Sequence, residues 1–390
     1  MNLDLLGRVR RQLAAQTRPD RPAGHRPEDA DIVRALRAAG AAPPDQTRLL
    51  GLTEAIAHDL TGAGPLQRLL EDPTISDVVV NGADGVWIDR GRGLEAAEVR
   101  LGDGEAVRSL ACRLAAAAGR RLDSGSPYAD VRLPDGTRFH AVLPPVASTG
   151  PYLSFRTHRS TAFTLSQLVE AGTVTADMAD LLLRLVEARL NFVVSGGTGT
   201  GKTTLLATLL SAVGGAERIV IVEDAAELSP DHPHALTLES RPANIEGAGA
   251  VGLAELVRQA LRMRPDRIVV GECRGAEVSE LLGALNTGHE GGAGTLHCNS
   301  AADVPARFEA LALPHGMPRA GLHAQLLAAL RIVVHLRRTG PRRQVAEIAL
   351  IDAEGPPGST GRLTVSTAWT RHGPGPAAGI LERLMRERGA

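Results

Sequence analysis

Two rhythms of apolar and polar positions divide the chain. From about Leu165 onward, short runs of consecutive apolar residues alternate with longer stretches of helical period. Asn191–Ser195, Arg218–Glu223, Arg267–Gly271 and Gly294–His297 read as strands, and Lys202–Val213 and Leu253–Met263 as helices. Arg331–Leu336, Gln344–Ile351 and Arg362–Thr367 read as later strands. Such alternation predicts a parallel α/β sheet with helices on both faces. Upstream the elements are shorter and follow another order. Thr53–Thr61 reads as a helix, Ile75–Gly82 as a strand entering a turn, and Val86–Asp89 as a strand before Arg90-Gly91-Arg92-Gly93. Glu105–Ala118 is an Ala-rich helix, Val131–His140 a hairpin turned by Pro-Asp-Gly, and Tyr152–Arg156 a last strand.

These readings give a small α+β domain over 46–157, a hinge linker at 158–164, a larger α/β domain over 165–370 and a C-terminal tail, 371–390. Residues 1–45 read as a helical or flexible extension. Leu3, Leu6, Val9 and Leu13 have helical spacing, Arg18–Pro27 has linker composition, and Asp29–Ala39 reads as a second short helix.

Composition narrows the picture. Hydrophobic residues make up 43% but aromatics only 2%, so the cores must be built from Ala, Val, Leu and Ile. A net charge of −1 gives no basic surface for general nucleic-acid binding. The three cysteines are widely spaced with no C-x-x-C pair, which argues against a zinc module and for a reducing compartment. No apolar run reaches the ~18 residues of a membrane span. The first residues lack the basic-then-apolar order of a signal peptide. The expectation is a cytosolic protein, or one held at a membrane by partners.

Lys202 is the only lysine; every other basic residue in the count of 43 is arginine. It stands in Gly196-Gly197-Thr198-Gly199-Thr200-Gly201-Lys202-Thr203, which fits the phosphate-loop pattern G-x-x-x-x-G-K-[ST]. An ammonium is compact and folds into a nest of backbone N–H groups to reach phosphates; a guanidinium is wider and forked. Gly197, Thr198, Gly199, Thr200, Gly201, Lys202, Thr203 and Thr204 are therefore candidate nucleotide-binding residues, with the Thr203 hydroxyl a candidate Mg²⁺ ligand. Hydrolysis also needs acids to hold the metal's water shell and orient the attacking water. Glu223, Asp224 and Glu227 follow one apolar strand. Glu272 ends Ile268-Val269-Val270-Gly271, the Walker B pattern with Glu in place of Asp. His289 and His297, eight residues apart among glycines, are candidates to touch the γ-phosphate.

In this order, the phosphate loop, Val-Glu-Asp-x-x-Glu, Leu261 to Gly275 and the histidine segment resemble the secretion ATPase superfamily of type II and type IV machines. Arg241-Pro242-Ala243-Asn244-Ile245-Glu246-Gly247 and Thr295-Leu296-His297-Cys298-Asn299-Ser300 are similar to the tight-adherence (Tad, or Flp) pilus ATPases, also called CpaF-like. Gly64-Pro65-Leu66 through Gly82 and Arg132–Arg138 extend the resemblance to the small domain, over about residues 50–350. The resemblance implies a RecA-like P-loop ATPase domain preceded by a small α+β domain. It implies ATP and Mg²⁺ as ligands. Glu227 would activate water, Glu272 would hold Mg²⁺ through water, and His289 and His297 would form the histidine box. Arg132, Arg138 and Arg156 would close over the triphosphate from the small domain. It further implies a homo-hexamer at the inner face of the cytoplasmic membrane, working on inner-membrane platform proteins that move pilin-like subunits. A conjugation-type ATPase moving DNA or protein would share fold and chemistry. A non-hydrolysing nucleotide switch would lack the need for Glu227 and Glu272. A helicase would want a basic, aromatic-interleaved strand-binding segment, which is not evident.

Overall fold

The computed structural model describes residues 8, 9, 12, 13, 28–41, 45–157, 162–241, 248–340, 342–354 and 361–389. The chain divides into two compact units, Met1–His158 and Arg159–Ala390. Most of the expected first helix, residues 158–161 of the expected hinge, and residues 242–247 lie outside the described residues.

In the first unit six strands make one antiparallel sheet: β1 (Asp77–Asn81), β2 (Val86–Asp89), β3 (Leu94–Ala97), β4 (Tyr128–Arg132), β5 (Arg138–Val142) and β6 (Tyr152–Arg156). Their order is β3-β2-β1-β6-β5-β4. The two-residue period of a strand sends Val78, Val80, Phe139, Ala141, Leu153 and Phe155 to one face, where all are buried. The helix Gly104–Ala117 supplies Val107, Leu110, Ala111 and Leu114 to the same core. Asp103 starts this helix by accepting the Ala106 N–H at 2.9 Å, a cap that contributes about 1 kcal/mol. The helices Asp29–Ala38 and Gln46–Thr61 bury Ile32, Leu36 and Ile56 together with Val9. Residues 29–41, read above as part of a loose extension, are therefore held by an apolar cluster.

The second unit is built on nine strands: β7 (Phe192–Gly196), β8 (Ile219–Glu223), β9 (Ala235–Glu239), β10 (Arg267–Cys273), β11 (Ala293–His297), β12 (Ile332–Thr339), β13 (Arg342–Ala353), β14 (Leu363–Thr370) and β15 (Gly373–Pro374). Their order is β15-β14-β13-β12-β7-β11-β10-β8-β9. From β12 to β9 the neighbours are parallel; β13, β14 and β15 add in antiparallel fashion. The sheet is thus mixed where a parallel one was expected. The links explain it: β12 ends at Thr339 and β13 begins at Arg342, too close for a crossover helix. β9, half-exposed at the edge, has no apolar run and escaped the pattern reading.

Helices cover both faces, as the alternation predicted. Leu181, Leu182 and Leu185 of Ala176–Glu187 and Leu205, Leu206 and Leu209 of Lys202–Ser211 fill one core. Leu256 and Val257 of Leu253–Ala260, Leu281 and Leu282 of Glu277–Leu285, and Leu322 and Leu326 of Arg319–Ala329 fill the other. The expected tail, 371–390, instead carries β15 and the helix Ala378–Glu387, which buries Leu381 and Met385. The Gly- and Pro-rich residues before it masked its short apolar stripe. Among the described residues no helix is long and apolar enough to cross a membrane.

Candidate active site

β7 delivers its backbone straight into the glycine-rich loop, and the helix Lys202–Ser211 begins on the far side. Gly196, Gly199 and Gly201 have φ of 154°, 70° and 95°, a region costly for residues with a Cβ. At Gly196 there is also no room: a Cβ would stand 2.6 Å from the Leu336 carbonyl oxygen of β12 and 2.7 Å from Thr200 Oγ1. Thr200 closes the loop by donating to the Gly197 carbonyl at 2.9 Å. The loop therefore presents backbone N–H groups at a helix N-terminus, where the dipole favours anions.

Lys202 is buried at 7% exposure. Its ammonium donates to the carbonyls of Gly196 (3.0 Å) and Gly197 (2.9 Å). Burial pulls its pKa below the usual lysine range, against the opposing charges of Glu272 and Glu227. His297 Nδ1 lies 3.4 Å from Lys202 Nζ, and His297 Nε2 lies 3.1 Å from Glu272 Oε1. An ammonium has no lone pair to give, so Nδ1 must accept and Nε2 carries the proton toward Glu272. The imidazole is then neutral, consistent with a pKa lowered first by burial and then by the Lys202 charge. Glu272 Oε2 accepts from Arg274 at 2.6 Å, and Arg274 Nη1 reaches Asp224 Oδ2 at 3.6 Å. Burial alone would raise the Glu272 pKa; the Arg274 hydrogen bond and charge, with His297 and Lys202, outweigh it and leave it lowered. A chain of polar contacts, with charged groups of both signs bridged by the neutral His297, thus runs Lys202–His297–Glu272–Arg274–Asp224 across the C-terminal ends of β7, β11, β10 and β8.

Two local devices aim this chain. The β10–β11 register shifts between Val270 and Cys273, a bulge spanning Gly271 and Glu272, which turns the carboxylate out of the regular pleat. Buried Glu277 then accepts the N–H groups of Arg274 and Gly275, the latter at 2.7 Å, and fixes the turn that carries Arg274.

Glu223, expected beside the ligand with Asp224, has another visible task. It is buried at 4% exposure and accepts the backbone N–H groups of Glu227 (3.1 Å) and Leu228 (3.1 Å). It packs on β10 at Gly271, where a Cβ would stand 2.5 Å from its Cγ. Glu223 thereby holds the loop on which exposed Glu227 sits, and the Glu227 charge reaches both Lys202 and Arg274. Thr203 and Thr204 are half-buried in the first helical turn.

The two histidines part company. His289 precedes β11 and His297 ends it, so the strand carries them to opposite edges of the sheet. His289 Nδ1 lies 3.2 Å from the Ala284 carbonyl, and its neighbour Glu290 pairs with Arg388 of the last helix. His289 is accordingly not gathered to the phosphate loop of its own chain.

Arg132, Arg138 and Arg156, in the first unit, prove to be cross-strand neighbours in one row: Arg132 faces Arg138, and Arg138 faces Arg156. Arg156 pairs with Asp77 at 3.1 Å and Arg132 Nε donates to the Gly136 carbonyl at 3.3 Å. Asp77, Asp130, Arg138, His140, Ser154 and Arg156 line a shallow cavity of about 370 Å³ on the sheet's polar face.

His335 escaped the sequence reading. It is 4% exposed on β12, and its Nδ1 lies 2.9 Å from the Ser195 hydroxyl, one residue before the phosphate loop. The Asn299 backbone, two residues after His297, also acts on the ring. Burial lowers its pKa and favours the neutral ring beside the Ser195 hydroxyl. Nothing in the local pattern flags it, because both partners become neighbours only in the folded sheet.

The profile described as "Type II/IV secretion system protein" matches residues 59–366. A Mycobacterium tuberculosis protein assigned to conjugal transfer is 50% identical over 354 residues, covering 87% of this chain and 99% of that protein. The conjugal transfer protein TrbB of Rhizobium radiobacter is 32% identical over 288 residues, covering 73% of this chain and 85% of TrbB. Among solved structures, the pilus retraction motor PilT with bound ADP matches with a TM-score of 0.51 at 18% identity, over 82% of this chain and 85% of that one. The likeness to PilT extends over both units and bears out the expected fold, a RecA-like ATPase domain preceded by a small α+β domain. With a profile match over most of its length and a half-identical relative, the chain belongs to the type II/IV secretion system protein family.

Proposed function

We propose that this chain is a Mg²⁺-dependent ATPase that drives a secretion machine as a homo-hexameric ring at the inner face of the cytoplasmic membrane. The chain Lys202–His297–Glu272–Arg274, gathered at the edge where the phosphate loop opens, carries this reading. The residues fit a triphosphate: glycines with room for phosphate, a buried ammonium, and a helix N-terminus. Mg²⁺ would be held by the Thr203 hydroxyl and, through water, by Glu272, and would neutralise charge on the triphosphate. The remaining chemistry belongs to the chain. Lys202 and the loop amides orient the β- and γ-phosphates. Glu227, exposed on the loop that Glu223 fixes, accepts the proton of the attacking water. His297, donating to Glu272, holds that carboxylate ionised and oriented. Arg132, Arg138 and Arg156 are proposed to add positive charge as bond breaking proceeds.

Two destinations for the work are argued from different observations. The Asn244-centred stretch and Thr295–Ser300 favour a Tad-type machine moving pilin-like subunits through an inner-membrane platform. The names of the Mycobacterium and Rhizobium relatives favour conjugal transfer. ATP turnover that nearly vanishes in Lys202→Ala and in Glu227→Gln is the expected result; normal turnover in both variants would sink the reading. Light scattering with a slowly hydrolysed ATP analogue should give a mass near six chains. Gene deletion scored for surface pili and for DNA transfer separates the two destinations.

A further inference from the structure

Beside the phosphate loop lies a second cationic feature that the motif reading did not use. Past Leu336, β12 continues as Arg337-Arg338-Thr339, and β13 begins Arg342-Arg343. Arg338 and Arg343 are cross-strand partners, both exposed. They lie one alternation beyond Leu336 and Val345, which are also partners and are buried in the core that receives the helix Lys202–Ser211. The two arginines therefore project from the face that carries the phosphate-loop helix. They also reach the loop. A Cβ on Gly199 would stand 3.6 Å from Arg338 Nη1, and one on Gly201 would stand 3.6 Å from Arg343 Cδ.

The direction of the ligand follows from the strand order. β7 has β11 and then β10 on one flank and β12 on the other. Glu272 and His297, the groups suited to the γ-phosphate end, stand on the β11–β10 flank. A nucleotide lying along the loop with its γ end there sends its ribose and base toward β12. The base needs a flat partner, and aromatic residues are 2% of the chain. In this unit Phe192 and Phe308 are buried, and Phe163 and Trp369 pack against the core. A guanidinium is planar and stacks on aromatic rings.

We infer that Arg338 and Arg343 form the nucleoside subsite, holding the purine base and ribose of the bound nucleotide by their guanidinium planes. This rests on the nucleotide-binding reading above. The test measures equilibrium binding of ATP and of tripolyphosphate, with Mg²⁺, to the full chain and to Arg338→Ala, Arg343→Ala, the double alanine variant and the double lysine variant. The double alanine variant should lose about tenfold or more in ATP affinity, while tripolyphosphate, which has no base, stays within about twofold. The lysine variant should recover little of the loss, because it restores charge without the plane. Parallel loss of both ligands, full recovery by lysine, or unchanged ATP binding would each overturn the subsite while leaving the nucleotide reading intact. Wild-type protein that binds neither ligand would overturn both.

Discussion

The two edges of the nine-stranded sheet handle charge in opposite ways. At the N-terminal edge, Arg267 is 2% exposed and donates to both oxygens of Glu217, at 2.9 and 3.0 Å, and to the carbonyls of Val186 and Gly291. Glu217 takes a second arginine, Arg189, at 3.0 Å. At the C-terminal edge, Lys202, His297, Glu272 and Arg274 also form a chain, but Glu272 and His297 keep 25% and 36% of their side chains exposed. The first set is stitched by a planar fork to fixed partners, and the second is held by single hydrogen bonds open to a ligand. Parallel strands end together at each edge, so one sheet keeps a structural charge cluster and a chemical one a strand's length apart.

The sharpest way to break the comparison is Arg267→Ala. It strands buried carbonyls and a partly buried carboxylate, and should cost about 3–5 kcal/mol of stability. Denaturant unfolding should show the loss while ATP turnover per folded molecule holds. Next, the paired variants His297→Ala and His289→Ala divide the edges by activity. The first removes a hydrogen bond to a charged group and should lower turnover about 10- to 100-fold; the second should stay within about twofold. Equal losses from both would mean that His289 meets nucleotide by a route outside its own loop. A third variant, His335→Ala, leaves the buried Ser195 hydroxyl without its ring partner, and should cost about 1–3 kcal/mol. His335→Gln, which offers one donor and one acceptor, should recover much of it. The smallest effect is a pH dependence. His335 and His297 both have pKa values lowered by burial. Between the folded value and the ordinary one of about 6.5, the unfolded chain binds the extra proton. Stability should be level above that value and fall on acidification through the window, and the fall should shrink in His335→Gln.

The legible parts of this molecule were those whose signal is local. Phe192–Gly196, Ile219–Glu223 and Arg267–Cys273 are apolar on nearly every position because helices cover both faces of the sheet, and the sequence shows that directly. Lys202 was legible because its loop needs glycines and an ammonium at fixed spacing. The rest depends on pairing. Three arginines scattered from 132 to 156 share a row only because β4, β5 and β6 align in one register. Glu223 looked like a third acid beside Asp224 and Glu227, but the alternation at the end of β8 turns it inward. His289 and His297 looked like a pair because they are close in the chain, whereas a strand separates what it connects. The mixed character of the sheet and the docked last helix rest on links and faces that composition does not register.

Gly271 has no side chain and would be passed over in any survey of reactive groups. Yet the Glu223 side chain of β8 lies across β10 there and occupies the space of a missing Cβ. Its lack of a side chain acts as a spacer gauge between two acids on separate strands. One methyl group added at that point would collide with Glu223 and push the loop that Glu223 holds away from the strand that carries Glu272, so the spacing of this edge is set by its least conspicuous residue.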